Sequence, residues 1–430
     1  MKIKEILTID LSEDIKNVID LEDISEKEIQ NEIENYIVTD GLAKKYSDFA
    51  TTYTSNILET GVWISGFYGS GKSYFGKLVG YMLSNRMIAG TPARERIIQR
   101  FTGIAEDALV KNTLMRLDAV KSRVVFLDIA KQNTSKGFAF TLFRNFLRTL
   151  DLPENEHGFF LYQLMLNEGV TDIHHFISGN LDRNWTDIRS RMVEYAKASK
   201  ELFLRKGNSD SDYDNLMTTI RRDIDQFSAG RLKVELENYL EVKNDEKIVF
   251  LFDEASEAIN QKKFTLLDLE GISESLSSLG GKVWTIAIAQ EKLDDVISNS
   301  NINKAQLTKV TDRFKTKIHL EATEVDVIIR NRLLKKSDEG EQLLTSHFIK
   351  NSGKISDHAA IHGAGVSKTE NAEGYTTYYP FYKYQFDLLQ NFLFGTKGYA
   401  STKVAARGMI ITTYDILKQE VQQSELFRTV

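Results

Sequence analysis

The chain has no cysteine, which removes disulfides and thiolate metal sites and agrees with a reducing compartment. Only three prolines occur, Pro92, Pro153 and Pro380, so no proline-rich linker divides it. No apolar run approaches the length that spans a bilayer, and Met1-Lys2-Ile3-Lys4-Glu5 lacks the apolar stretch of a signal peptide. A cytoplasmic protein without membrane contact is therefore expected. Positive charge is not in excess either. A net charge of −6 argues against a dedicated non-specific nucleic-acid binder, while leaving room for DNA contact through a local patch. Internal repeats and low-complexity tracts are also missing. The remaining composition is ordinary for a globular chain, and 430 residues suffice for two or three domains.

The strongest positive signal is Gly66-Phe67-Tyr68-Gly69-Ser70-Gly71-Lys72-Ser73, which fits G-x-x-x-x-G-K-[ST] at every fixed position. Val62, Trp63 and Ile64 before it read as a short buried strand. Tyr74, Phe75, Leu78, Val79, Met82 and Leu83 after it recur at helical spacing. Gly66, Gly69 and Gly71 allow a tight curl whose N–H groups can wrap a polyphosphate. The following helix aims unpaired N–H groups at the same anion. Lys72 adds a mobile positive charge, and the Ser73 hydroxyl suits Mg²⁺, which prefers hard oxygen ligands.

A second signal is Lys247 to Glu254, an apolar run ending in Asp253-Glu254. A strand would deliver both carboxylates to the carboxyl edge of a parallel sheet, Asp253 toward a metal and Glu254 toward an attacking water. Val283 to Gln290 is another buried strand, and Gln290 at its tip is placed to touch a γ-phosphate or the lytic water. Arg313, ahead of the strand Lys317–Leu320, is the best candidate for a cation offered to a neighbouring subunit's γ-phosphate. Val124 to Ile129 reads as one more strand buried on both faces. Asp128 at its end either approaches the nucleotide or forms a turn.

These elements predict an α/β fold: a parallel-sheet P-loop core flanked by helices, with a helical insertion and a C-terminal helical lid. Residues 1–60 form a leader packing on the core, residues 61–322 the core, residues 131–245 the insertion and residues 323–430 the lid. In the leader, Ile3 to Ile9 reads as a strand and Ser25-Glu26-Lys27-Glu28 as a capped helix start. The leader either folds over a nucleotide base or braces the sheet. The insertion suits partner contact or subunit packing, and His174-His175 within it reads as structural. Residues 351–379 read as a mobile loop. Tyr379-Pro380-Phe381 then opens a helix whose stripe Phe381, Tyr384, Leu388, Leu389 and Phe392 is expected in the core. A last helix, Lys403 to Leu417, carries Arg407. The chain is expected to be the front part of a longer polypeptide.

The order of loop, Asp-Glu strand, Gln290, Arg313 and helical region resembles the AAA+ ATPases over most of residues 40–430. The resemblance implies ATP and Mg²⁺ as cofactors. Gly66, Tyr68, Gly69, Ser70, Gly71, Lys72, Ser73 and Tyr74 match the Walker A region, and Asp253 and Glu254 match Walker B. Gln290 matches sensor 1, where Asn or Thr is commoner. Arg313 resembles the arginine finger, and Arg407 the sensor 2 arginine. Ser73 and Asp253 are the implied metal ligands. More narrowly, residues 63–75, Phe252-Asp253-Glu254-Ala255-Ser256-Glu257, Asp312-Arg313-Phe314 and residues 379–386 resemble BrxC of bacterial BREX phage-defence systems, a family similar to PglY. That resemblance implies action alongside other defence proteins and ultimately on phage DNA, and the arginine-finger likeness of Arg313 implies a homo-oligomer.

Three functions are compatible with these motifs: an ATP-hydrolysing module, a nucleotide-gated scaffold with negligible turnover, and a DNA-loading ATPase of the replication-initiation kind. The acidic net charge weighs against the third.

Overall fold

The computed structural model describes residues 1–11, 19–55, 57–66, 70–298, 304–320, 325–358, 369–395 and 405–427. Most of these residues are helical, around one five-stranded sheet. Its strands are β1 (Gly61–Gly66), β2 (Lys121–Asp128), β3 (Glu246–Asp253), β4 (Val283–Ala289) and β5 (Thr316–Leu320). They lie in the order β2-β3-β4-β1-β5, and every pairing is parallel. β1 and β4 are buried along their whole length, as continuous apolar runs covered on both faces must be. The result is a P-loop-like α/β architecture.

Alternate residues of each strand feed different cores. Val62, Ile64, Val249, Leu251, Ile286 and Ile288 pack with α1 (Glu26–Asn35), α2 (Asp40–Thr54) and α3 (Lys72–Ser84). Trp63, Phe250, Phe252 and Ala287 face the other way, onto the helices of residues 138–242. α3 lies directly on the sheet because two of its residues lack side chains. A Cβ on Gly76 would sit 2.3 Å from Cδ1 of Ile288, and one on Gly80 2.3 Å from Cε1 of Phe126. The insertion is seven helices between Phe138 and Val242 whose aromatic residues meet the sheet. Phe138 stacks on Phe264 at 4.1 Å and meets Phe252 edge-on at 5.9 Å.

Several local expectations are corrected. Ile3–Glu5 is a 3₁₀ turn, not a strand, with isolated bridges at Lys2 and Leu7 on either side. Its apolar residues Ile3, Ile6, Leu7 and Leu11 pack with the C-terminal helices rather than with the sheet. Ser25 precedes α1 but makes no side-chain cap, because its hydroxyl donates to Asp23 at 2.9 Å. The capping boxes belong instead to Ser209 with Asp212 and Thr265 with Asp268. Part of the expected loop at 351–379 is helix: Asp338–His358 runs into it and Ala372–Tyr378 lies within it, while residues 359–368 fall outside the described part. The helix after Pro380 begins at Lys383, and no residue of the expected stripe is buried. Phe381, Tyr384 and Leu389 are half-buried and Leu388 and Phe392 exposed, while Phe386, outside that stripe, is buried. No helix among the described residues is long and apolar enough to cross a membrane.

Candidate functional site

The parallel sheet brings the ends of β1, β2, β3 and β4 to one edge, where open α/β sheets form their crevices. From β1 the chain passes through the glycine-rich loop into α3. Gly66 stands where a Cβ would lie 2.4 Å from Ser70 Oγ and 2.9 Å from the Leu320 carbonyl oxygen, so the loop is closely curled at its start. Gly71 has φ +80° and immediately precedes α3, a conformation glycine adopts without strain. Ser70 Oγ is buried without a hydrogen-bond partner, an orphaned polar atom inside the curl. Phe67, Tyr68 and Gly69 lie outside the described residues.

Lys72 and Asp253 are both nearly inaccessible, at 4% and 5% exposure. The Ser73 hydroxyl and the Lys72 ammonium both stand near enough to the Asp253 carboxylate to act on it. Burial pushes the Asp253 carboxyl up to about 6, Ser73 and Lys72 oppose that rise, and the Glu254 carboxylate adds to it. The two signals that stand 180 residues apart in sequence thus meet side chain to side chain.

Glu254 follows in a left-handed conformation, φ +58°, that a non-glycine residue seldom adopts. Its backbone N–H donates to Asp253 Oδ1 at 2.8 Å. From the neighbouring strand, Gln290 Nε2 donates to Glu254 Oε2 at 3.0 Å, and the Gln290 backbone N–H donates to Ser256 Oγ at 3.2 Å. Asp128 stands in register with Asp253 but forms a turn. Its Oδ2 accepts from Lys131 Nζ at 2.9 Å, and its backbone N–H donates to Glu22 at 2.9 Å. His174 is likewise structural, bonded to Asp151 at 2.8 Å.

Arg313 is not brought to the loop within one chain. Its carbonyl oxygen packs 2.3 Å from where a Cβ of Gly61 would be, at the opposite end of β1 from Gly66. Five steps along the strand separate the two ends, about 16 Å. Its guanidinium pairs with Glu274 at 2.8 Å. Arg407 lies on the helix Ala405–Ile416, and its side chain falls outside the described part.

A cleft of about 710 Å³ adjoins Tyr74, the residue after Ser73. Tyr36, Val38, Arg100 and Ile104 line it on one side, Ile9 and Arg332 on another. Sequence reading missed all six, since its walls come from segments far apart in the chain and no periodicity joins them.

The residues present fit a magnesium polyphosphate. No group of three or more His, Asp or Glu side chains able to hold a metal occurs among the described residues. A single Ser–Asp pair leaves most of the coordination sphere to phosphate oxygens and water, which is how magnesium is usually held. No protein-family model matches the chain.

Proposed function

We propose that this chain is a magnesium-dependent ATP-hydrolysing module of the AAA+ kind, serving a multi-protein phage-defence complex. The observation that carries the reading is the contact of Ser73 with Asp253 beside Lys72, at the mouth of a glycine-rich loop. The strand order supports it too, because β4 and its Gln290 stand between the loop strand and the Asp253 strand. The phage-defence setting, with partner proteins and ultimately DNA, rests on the BrxC-like motifs alone.

In this reading Lys72 and the N–H groups at the start of α3 hold the phosphates. Ser73 and Asp253 would hold magnesium, which when bound would neutralise charge on the phosphate oxygens. Glu254 takes the proton from the attacking water, oriented by the amide of Gln290. Arg313 serves a neighbouring copy, since β1 keeps it from its own loop.

Nucleotide binding and steady-state phosphate release from the pure chain test this. Lys72→Ala should lose binding, whereas Glu254→Gln should bind ATP and hardly turn it over. Wild-type turnover in Glu254→Gln would remove Glu254 as the base. Binding without turnover in the wild type, alone and with partner proteins, would favour the scaffold reading.

A further inference from the structure

β2 lies at the edge of the sheet, so one row of its backbone groups has no neighbouring strand to pair with. At its carboxyl end two side chains take that place. Arg148 Nη2 donates to the Phe126 carbonyl at 3.1 Å, and Glu22 Oε1 accepts from the Asp128 N–H at 2.9 Å. The two side chains face each other at 3.6 Å and stand where a sixth strand would lie. Glu22 also accepts from Gln132 Nε2 at 2.6 Å, which ties down the turn after β2. Lys263 steadies the same turn through the Ala130 and Gln132 carbonyls, whereas Glu22 holds the strand's last residue itself. The main chain around Glu22 is anchored in turn. Leu21 is buried in the core that α3 shares, and the Asp20 carbonyl accepts from Lys77 Nζ of α3 at 2.5 Å. Lys77 is fully buried and paired with Glu32 at 2.8 Å.

Successive N–H groups of an extended chain point to opposite sides. The Asp128 N–H points outward to Glu22. The next one, of Ile129, points inward and donates to the Asp253 carbonyl at 3.3 Å. Asp253 ends β3 and stands in register with Asp128, so this bond closes the ladder between the two strands. We propose that Glu22 is a positioning residue for the magnesium site. It fixes the tip of β2, and through the Ile129 N–H it fixes the main chain that carries the Asp253 carboxylate. This rests on the nucleotide reading above. Removing the Glu22 carboxylate should loosen Asp253 and leave the N–H groups at the start of α3 in place, because α3 is held separately by Lys77 and Glu32.

The test compares magnesium ATP with ATP in EDTA, in calorimetric titrations of the full chain. Partners of metal ligands typically contribute tenfold or more, and Glu22 acts one bond further out. Glu22→Ala should therefore weaken magnesium ATP by about three- to tenfold and leave metal-free ATP within about twofold. Glu22→Gln keeps a carbonyl oxygen for the Asp128 N–H and the Gln132 amide and loses only the charge facing Arg148. It should bind magnesium ATP within about twofold of wild type. In the ligand-free chain, amide exchange in Glu22→Ala should quicken in peptides covering residues 126–132 and 251–255, and not in those covering α3. Equal weakening of both ligands in Glu22→Ala, undiminished magnesium ATP affinity, or unchanged exchange around Asp253 overturns the role. So does a Glu22→Gln as poor as Glu22→Ala, which would assign the effect to the charge on Arg148. All of these leave the nucleotide reading standing. Wild-type protein that binds ATP in neither form overturns that reading and the role of Glu22 with it.

Discussion

Gln290 and Glu254 sit at the tips of adjacent parallel strands and are joined by a 3.0 Å hydrogen bond from the amide of one to the carboxylate of the other. The bond fixes a side chain whose backbone is already held at φ +58°. If Glu254 is the base, its aim depends on Gln290. Gln290→Leu should lower phosphate release by about ten- to a hundredfold, the scale expected for misplacing a reacting group by about an ångström. The ATP dissociation constant should change little. A variant that loses binding instead would assign Gln290 to ground-state phosphate contact.

Asp253 carries a cost at neutral pH. Its carboxyl is raised to about 6 chiefly by burial, so above that pH the folded state holds an ill-solvated charge. Asp253→Asn keeps an acceptor for Ser73 and for the Glu254 N–H while removing the charge. Thermal melts at pH 7.5 should show the ligand-free variant equal to or slightly more stable than wild type. The stabilisation that magnesium ATP gives the wild type should vanish.

Lys336 gives the clearest pH signature outside the site. It is 5% exposed, its ammonium donates to the Thr377 carbonyl at 3.0 Å, and burial pushes it down to about 7. The unfolded chain holds this proton up to about pH 10.4, so the penalty is full below 7 and fades as pH rises from 7 toward 10. Lys336→Met should stabilise the protein at pH 6.5 by an amount on the order of a few kcal/mol. That advantage should shrink steadily between pH 7 and 10 in denaturant melts.

Gly80 tests the seating of α3. A side chain there meets the ring of Phe126 at 2.3 and 2.5 Å. Gly80→Val should cost about 1–3 kcal/mol by overpacking, read as a lower melting temperature. Nucleotide affinity should fall as well, because the helix that moves is the one whose first residue is Lys72.

Arg313 tests assembly. Arg313→Ala alone and Glu254→Gln alone should both be poor hydrolases. Mixing them should restore part of the activity, because a copy with intact Glu254 can then sit beside a copy with intact Arg313. A mixture no better than the sum of its parts would place the lost function of Arg313 in its Glu274 ion pair instead.

The sequence spoke clearly wherever the physics was local. Strands β3 and β4 are legible because a strand covered on both faces must be a continuous apolar run, and α3 because its apolar residues recur at helical spacing. Gln290 and Glu254 were each picked out as polar tips on such runs. Their bond was not legible, since it depends on β4 lying beside β3, and strand order leaves no trace in periodicity. The segment from Ile3 to Ile9 misled for the opposite reason. Its apolar residues look like a strand, but their partners lie more than 300 residues away, in the helices around Leu333 and Leu417. Phe392 fits a helical stripe yet is 57% exposed, because a stripe records which face is apolar and not whether anything covers it.

The ring of Phe138 lying flat on Phe264 and against Phe252 carries a lesson for anyone trimming this protein. Although the helices of residues 138–242 interrupt the core in sequence, they are not a detachable ornament. Cutting them out would uncover Phe252 and the other apolar residues that share their core, and the stump should collect as insoluble material rather than as a smaller folded protein.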